Sequence, residues 1–577
     1  MAKATPSSPK PKRKGRFFRR FIRSLLLLLL LGTAALLTYW FWPMPERDIY
    51  DFVPQDACYI IEADDPIENW KAFSKTPIWK HLKKNELMAD IEGDANYLDT
   101  LIMDNERIFK LLSGKKLLIV GQMYKADDYD FLYLIDLKKG AKVSFFMDVF
   151  KGIMNAAGLT MTKKELAGNT IYGIGEGSDE VLLGFQDNIL VASYSNSLLL
   201  KSFKESEKPF YTRNNNFQSM RKKAFKLEND ESVGKVHVNF DQLDEMMGVY
   251  MDDVTETVTG LSNSLEYAGF DLKMGGDHAD FSGNLTIDDS VPSLMTVMKT
   301  IERSEIRSHQ ILPRYTSFLL TLNFHDFDYF YRQISELMEE DEGFQEYEKT
   351  QNQIAGLLGV RRRDKRIERK RKKGKDVDYF DWIGQEISMA MVPLDESGRK
   401  QAYVAVFHSP DKENAEHDLN AIEKKLKNRS PVRFEEYEYK GKTINYLKLK
   451  GFFKLFLGKL FTQFDKPKYA VLDEFVIFSN DTTALHRMID VANGNLANLP
   501  MDSEYRRFYR NFEPQSNYYL YVNMPKIFPA LPGFLDGSSA RDLRENEALI
   551  TRFRKVGLQL LSEEEHFEAK LFVDFEK

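Results

Sequence analysis

One cysteine, Cys58, serves 577 residues. A lone thiol cannot close a disulfide within its own chain, and four-cysteine zinc sites and cysteine-ligated clusters are excluded with it. Net charge is scarce too. The 81 basic and 87 acidic side chains leave only −6, so no global basic field marks a nucleic-acid binder. The nine histidines are scattered, with no His-Glu-x-x-His to set two zinc ligands on one helical face. Gly-x-Ser-x-Gly, the strained turn that presents an esterase serine, is absent as well. Gly441-Lys442-Thr443 resembles the end of a phosphate-binding loop, but Glu436 stands where that loop needs glycine. Gly173-x-Gly175-x-Gly177 runs into Ser178-Asp179-Glu180 and a strand, not a helix. Both read as turns. Asp127-Asp128-x-Asp130 lacks the spacing and glutamate of a calcium loop. No catalytic residue, metal ligand or cofactor site emerges, and a non-enzymatic chain is expected.

Apolar material is plentiful, at 43% hydrophobic and 13% aromatic residues. That is enough for packed cores, and the length allows about three to five domains of roughly 100–200 residues. The first 23 residues carry nine Lys and Arg and no acid, a pattern expected of a cytoplasmic tail. Residues 24–42 follow without a charge and include Leu25 to Leu31 unbroken. As a helix rising about 1.5 Å per residue they match a hydrocarbon core of about 30 Å. Tyr39, Trp40 and Trp42 suit the headgroup level, and Pro43 and Pro45 end the run. The expectation is one transmembrane anchor at 24–42, a linker at 43–52, and the bulk of the chain across an inner membrane. A cleaved signal peptide is the competing reading, disfavoured by the length of the run and the aromatics at its far end.

The rest of the chain matches itself. Val53-Pro54 leads into Cys58-Tyr59-Ile60-Ile61 as Leu312-Pro313 leads into Phe318-Leu319-Leu320-Thr321. Gly114 and Gly384 each precede a strand, a polar turn and a second strand. Gly168-Asn169-Thr170-Ile171 matches Gly441-Lys442-Thr443-Ile444, and Asp187 to Ser193 matches Asp473 to Ser479. Val236-His237-Val238-Asn239 pairs with Leu520-Tyr521-Val522-Asn523, Gly269 with Gly557, and Phe281-x-x-x-Leu285 with Phe567-x-x-x-Leu571. Seven matches in one order indicate a duplication, with repeat units at 53–288 and 311–577 and a helical connector at 289–310. Short alternating runs joined by Asp, Asn and Gly turns indicate mainly antiparallel pairing. The expected class is therefore α+β: a transmembrane helix followed by two homologous, mainly antiparallel-sheet units with packed helices.

The offset between the copies grows from 259 to 270 and from 273 to 286, which places insertions in the second copy near 361–373 and 451–466. The first holds ten Lys and Arg in thirteen residues. Arg361, Arg362, Arg363, Lys365, Arg366, Arg369, Lys370 and Arg371 are candidate contacts for an anionic partner, against the plain alternative of a solvated charged segment. In the second, Phe453, Phe456, Leu457, Leu460, Phe461 and Phe464 recur at helical spacing. Such a stripe suits a membrane interface or a partner's groove, or else packs on its own domain.

The Val53-Pro54 strand, Asp64-Asp65-Pro66, Trp70, Trp79 and the tandem copies together resemble an uncharacterised family of single-pass anchored envelope proteins of the Bacteroidota, carrying a domain of unknown function. That resemblance implies a periplasmic location and no catalytic residues. The functional expectation is a membrane-anchored, non-enzymatic envelope protein that binds or scaffolds another envelope component, protein or lipid, and not nucleic acid. A carrier for hydrophobic cargo and an enzyme with an unfamiliar site are the alternatives.

Overall fold

The computed structural model describes residues 46–84, 114–125, 128–137, 160–175, 180–224, 232–242, 264–340, 382–429, 436–446, 464, 467–535 and 537–576. They form two compact units, one closing at Asp277 and the other running from His278 to Glu576.

In the first unit a short 3-10 turn at Ile49–Phe52 leads into strand β1 (Ala57–Ala63). The Asp65 carboxylate accepts from the Glu68 N–H at 3.2 Å and proline holds the first helical position, so helix α1 (Pro66–Ser74) starts there. Thr76 and Pro77 repeat the device for α2 (Pro77–Leu82), which brings Trp79 to 5.0 Å from Trp70, ring to ring. Then come β2 (Lys116–Lys125), β3 (Asp128–Asp136), β4 (Met161–Leu166), β5 (Asn169–Ile174), β6 (Val181–Gln186), β7 (Ile189–Ser193), α3 (Asn196–Glu205), α4 (Asn215–Ala224), β8 (Ser232–Asn239) and β9 (Leu265–Met274). Every pairing is antiparallel, in the order β4-β5-β6-β7-β3-β2-β1-β8-β9.

The second unit begins with β10 (His278–Ile287), α5 (Leu294–Lys299) and β11 (Ser304–Glu305). It continues through β12 (Phe318–Asn323), α6 (Phe327–Glu340), β13 (Glu386–Pro393), β14 (Gln401–His408) and α7 (Lys412–Arg429). Next are β15 (Glu436–Tyr439), β16 (Lys442–Tyr446), β17 (Lys468–Leu472), β18 (Phe475–Ser479), α8 (Thr482–Ala492) and α9 (Ser503–Tyr509). β19 (Gln515–Ser516), β20 (Tyr518–Asn523), β21 (Phe553–Ser562) and β22 (Phe567–Phe575) follow, with short helices at Met524–Ile527, Gly537–Glu545 and Glu547–Ile550 between β20 and β21. The order is β15-β16-β17-β18-β14-β13-β12-β20-β21-β22-β10, with β11 and β19 as a separate pair.

From β4 to β9 and from β15 to β21 the two orders are the same, and so is the register. Ile60 lies opposite Val120 and His237, and Leu319 lies opposite Ala390 and Tyr521. The tight turns correspond too. Ala167 and Gly168 have φ of 50° and 81°, Lys440 and Gly441 of 46° and 78°, the double positive φ whose twist suits a two-residue hairpin.

Each sheet buries one face under its helices. In the first unit Ile60, Leu118, Leu134 and Val191 pack with Leu199 and Phe203 of α3. In the second, Leu319, Ala390, Val406 and Ile477 pack with Leu485 and Met488 of α8. Each of the Leu, Ile, Val, Phe and Met side chains among them contributes about 1.5–3 kcal/mol of hydrophobic stabilisation.

The expected α+β class with a leading transmembrane helix is corrected on both counts. Long antiparallel strands dominate and the helices are few, because short apolar runs that fit either period are paired as strands of up to ten residues. Among the described residues no helix is long and apolar enough to cross a membrane. The longest of them, α7, carries Glu413, Glu416, Asp418 and Glu423 along its length. Residues 1–23 and 24–42 lie outside the described residues.

Candidate functional site

A cleft of 340 Å³ opens in the second unit, where α7 passes over the β15–β17 meander. The helix supplies Lys412, Glu416, Leu419 and Asn420, whose i, i+4, i+7, i+8 spacing puts them on one face. Ala415, Leu419 and Ile422 seat that helix on the sheet. The meander supplies Glu436, Thr443 and Asn445, then Tyr469 and Val471 two residues apart and so on one face. Gly441 and Lys442, from the tight turn, form one end. Lys412 lies 3.6 Å from Glu416, and Lys442 lies 3.3 Å from Asp473. Two cations and two anions thus face a small volume with two amides and a hydroxyl.

Tyr469 stands apart from the other lining groups. It is 2% exposed, its ring centre lies 5.6 Å from that of Phe478, and its hydroxyl finds no hydrogen-bond partner among the described residues. Burial, with the charges of Glu423 and Glu436 adding to it, pushes its ionisation well above the ordinary range, so the group is a neutral phenol. Register shows what the fold itself requires there. Glu436 pairs with Asn445, Asn445 with Tyr469 and Tyr469 with Phe478. The equivalent row of the first unit is Lys163, Tyr172, Leu183 and Ala192. Leu183 is fully buried in an apolar cluster. The same sheet position is therefore satisfied by an aliphatic side chain, and the phenol is an addition to it.

The second polar constellation lies inside the first unit. Glu62 of β1 is 2% exposed. It accepts from the Tyr50 hydroxyl at 2.5 Å and from Lys116, and His237 Nε2 lies 3.3 Å away. Asp64 takes Lys116 at 3.1 Å and Lys235 at 2.7 Å, and Arg221 stacks 4.0 Å over the Tyr50 ring. Burial alone would raise the Glu62 carboxyl. The His237 hydrogen bond and the Lys116 charge outweigh it and hold the group far below the usual carboxylate range. Burial lowers His237 in turn, against the opposing pull of Glu62. A neutral imidazole donating from Nε2 to a carboxylate satisfies both shifts. The network is an internal tie joining β1, β2 and β8. In the second unit the Lys116 position is Glu386, whose carboxylate accepts from the N–H of Arg307 at 2.5 Å and of Ser308 at 3.0 Å. Burial raises it nonetheless.

Of the contacts expected from the sequence, Phe464 is described and is 2% exposed, a core position. Phe453, Phe456, Leu457, Leu460 and Phe461 lie outside the described residues, as do Arg361, Arg362, Arg363, Lys365, Arg366, Arg369, Lys370 and Arg371. Sequence reading passed over the cleft. Its one visible signal, Gly441-Lys442-Thr443, is the turn at the cleft's end.

Residues 375–553 match the model of a family described as a protein of unknown function, DUF3352, and every residue lining the cleft falls in that span. No curated protein matches the chain. A solved structure described as crystal form III of TP0453 is similar over 45% of this chain and 90% of its own, at 11% identity and a TM-score of 0.25. A likeness at that score carries no argument.

Proposed function

We propose that this chain is a non-enzymatic binding protein of the cell envelope, and that its second unit holds the ligand-bearing site for another envelope component. The observation that carries the reading is the contrast between the repeats. One cross-strand row is Lys163, Tyr172 and Leu183 in the first unit and Glu436, Asn445 and Tyr469 in the second, where it lines a cleft. The position that Leu183 fills inside an apolar cluster is taken by Tyr469 at the wall of a cleft whose other lining groups are mostly polar. Well-filled cores under α3 and α8 support a surface site over a carrier's continuous apolar groove. The envelope setting, in a cell of the Bacteroidota type, is part of the same proposal. It is supported by the nine basic residues that precede an apolar run at the start of the sequence.

The test is photocrosslinking in cells from position 420, an exposed site on the cleft rim, with position 163 of the first unit as the control. The reading expects one dominant adduct from 420 and none of that mass from 163. Adducts confined to the chain itself, or the same adducts from both positions, refute it.

A further inference from the structure

We propose that the cleft between α7 and the β15–β17 meander takes a saccharide of one or two rings, held by hydrogen bonds from Asn420, Glu436, Thr443, Asn445 and Tyr469. The proposal rests on the binding reading above and names its ligand class.

Volume comes first. At 340 Å³ the cleft is at the small end of the about 300–1,000 Å³ typical of small-molecule sites, room for one or two sugar rings and not for a folded partner's loop. Charge comes second. Lys412 and Lys442 are balanced by Glu416 and Glu436, so neither a phosphate nor a polycation is favoured, and a neutral ligand is. Hydrogen-bonding character comes third. Lysines donate, carboxylates accept, asparagine amides do both, and the hydroxyls of Thr443 and Tyr469 do both. A polyol makes the same demand, because each of its hydroxyls donates and accepts. A lipid tail would instead require the mostly apolar wall that ligand pockets usually present. Leu419, Val471 and the Tyr469 ring give the C–H face of a sugar something to lie against.

Tyr469 supplies the independent observation. A buried hydroxyl without a partner costs about 1–3 kcal/mol, and the equivalent Leu183 shows that the sheet does not call for it. The hydroxyl is sealed from solvent as the cleft stands, and a ligand hydroxyl that displaces the side chains over it would supply the missing partner. A destabilising group at a cavity wall fits a trade of stability for function.

The experiment uses the full chain and four disaccharide probes: N,N′-diacetylchitobiose, cellobiose, maltose and lactose. Saturation-transfer NMR at millimolar probe concentration is expected to show contact with at least one. Tyr469→Phe is expected to weaken that binding at least tenfold while the melting temperature stays level or rises. Thr443→Val, at an exposed position, is expected to weaken binding with the fold untouched. No transfer from any of the four probes overturns the saccharide assignment, as does unchanged affinity in both variants. Hydrolysis of a bound probe upholds the ligand class and sinks the non-enzymatic reading, whereas failure of all probes together with a dominant crosslink at 420 does the reverse.

Discussion

Removing the Glu62 carboxylate tests whether the internal tie of the first unit is structural. Glu62→Ala takes away the acceptor of the Tyr50 hydroxyl and of His237, and one partner of Lys116. Breaking a buried ion pair costs about 3–5 kcal/mol. Lys116 is a quarter exposed and keeps Asp64 at 3.1 Å, so the low end, about 3 kcal/mol, is expected. Glu62→Gln retains an acceptor oxygen and removes the charge, and its cost at pH 7 should be smaller. The sign with pH follows from linkage. The folded-state carboxyl is held far below its unfolded value, so its contribution is full above about pH 4.3 and declines as pH falls below that value. Between pH 7 and pH 3.5 the gap between wild type and Glu62→Gln should narrow by about 1 kcal/mol. Hydrogen-exchange labelling along a urea titration reads β1 and β8 peptides separately from β12 peptides, which serve as an internal reference. A cost below about 1 kcal/mol for Glu62→Ala, or a gap that does not narrow in acid, refutes the reasoning.

Four further outcomes are expected. Burial pushes His309, packed between Tyr505 and Tyr509, down to about 4. The second unit should then lose about 3 kcal/mol as pH falls from about 6.5 to 4, because the unfolded state binds the proton more readily; His309→Leu should flatten that part of a melting-temperature profile. Glu386 is raised by burial, so stability is greatest below its unfolded value near 4.3 and declines as pH rises above it. Glu386→Gln should therefore hold or raise the pH 7 melting temperature while still accepting from the Ser308 N–H. A Cβ at Gly557 would lie 2.4 Å from Phe512 Cζ and 2.8 Å from Phe508 Cζ, and one at Gly269 would lie 2.2 Å from the mobile end of Met220. Gly557→Ala should cost about 1–3 kcal/mol in urea unfolding and Gly269→Ala less. Ala167, at φ of 50° in its turn, should gain about 1 kcal/mol on replacement by glycine, read as a rise in melting temperature.

The turns were the most legible part of this chain. A two-residue hairpin with both φ positive admits few residues, so Gly168 and Gly441 stand out in sequence and occupy equivalent turns in structure. Helix starts were legible for the same local reason, with Ser195 and Asp481 accepting from the third N–H of α3 and α8. The balance of strand and helix was not legible, since how far an apolar run extends as a strand, to Lys125 in β2, is set by the strand it pairs with. The sites were hidden by distance along the chain. Glu62 meets Lys116 and His237 across 54 and 175 residues. Lys412 and Glu416 read as an ordinary solvated helical face until the meander is seen beneath them.

The strand order and register that the two units share supply a comparison that a single sheet cannot. Where both copies face the helix-covered core, they keep apolar residues at matching positions: Ile60 and Leu319, Val191 and Ile477, Leu199 and Leu485. Dense packing penalises any change of volume or polarity there by kilocalories. The opposite face of the same strands is under a different constraint. Leu183 and Tyr469 share a register position, yet one is sealed in an apolar cluster and the other lines a cleft beneath α7. Between β14 and β15 of the second unit α7 lies over that face, so whatever the meander presents is enclosed by a helix whose Lys412, Glu416 and Asn420 point the same way. A sheet whose one face fixes the fold can thus change chemistry on the other without losing its architecture. Divergence between the copies should accordingly concentrate in the Glu436–Asn445–Tyr469 row and the helix above it. Exchanging that row for Lys163, Tyr172 and Leu183 should abolish the crosslink at position 420 while strand protection in hydrogen exchange is kept.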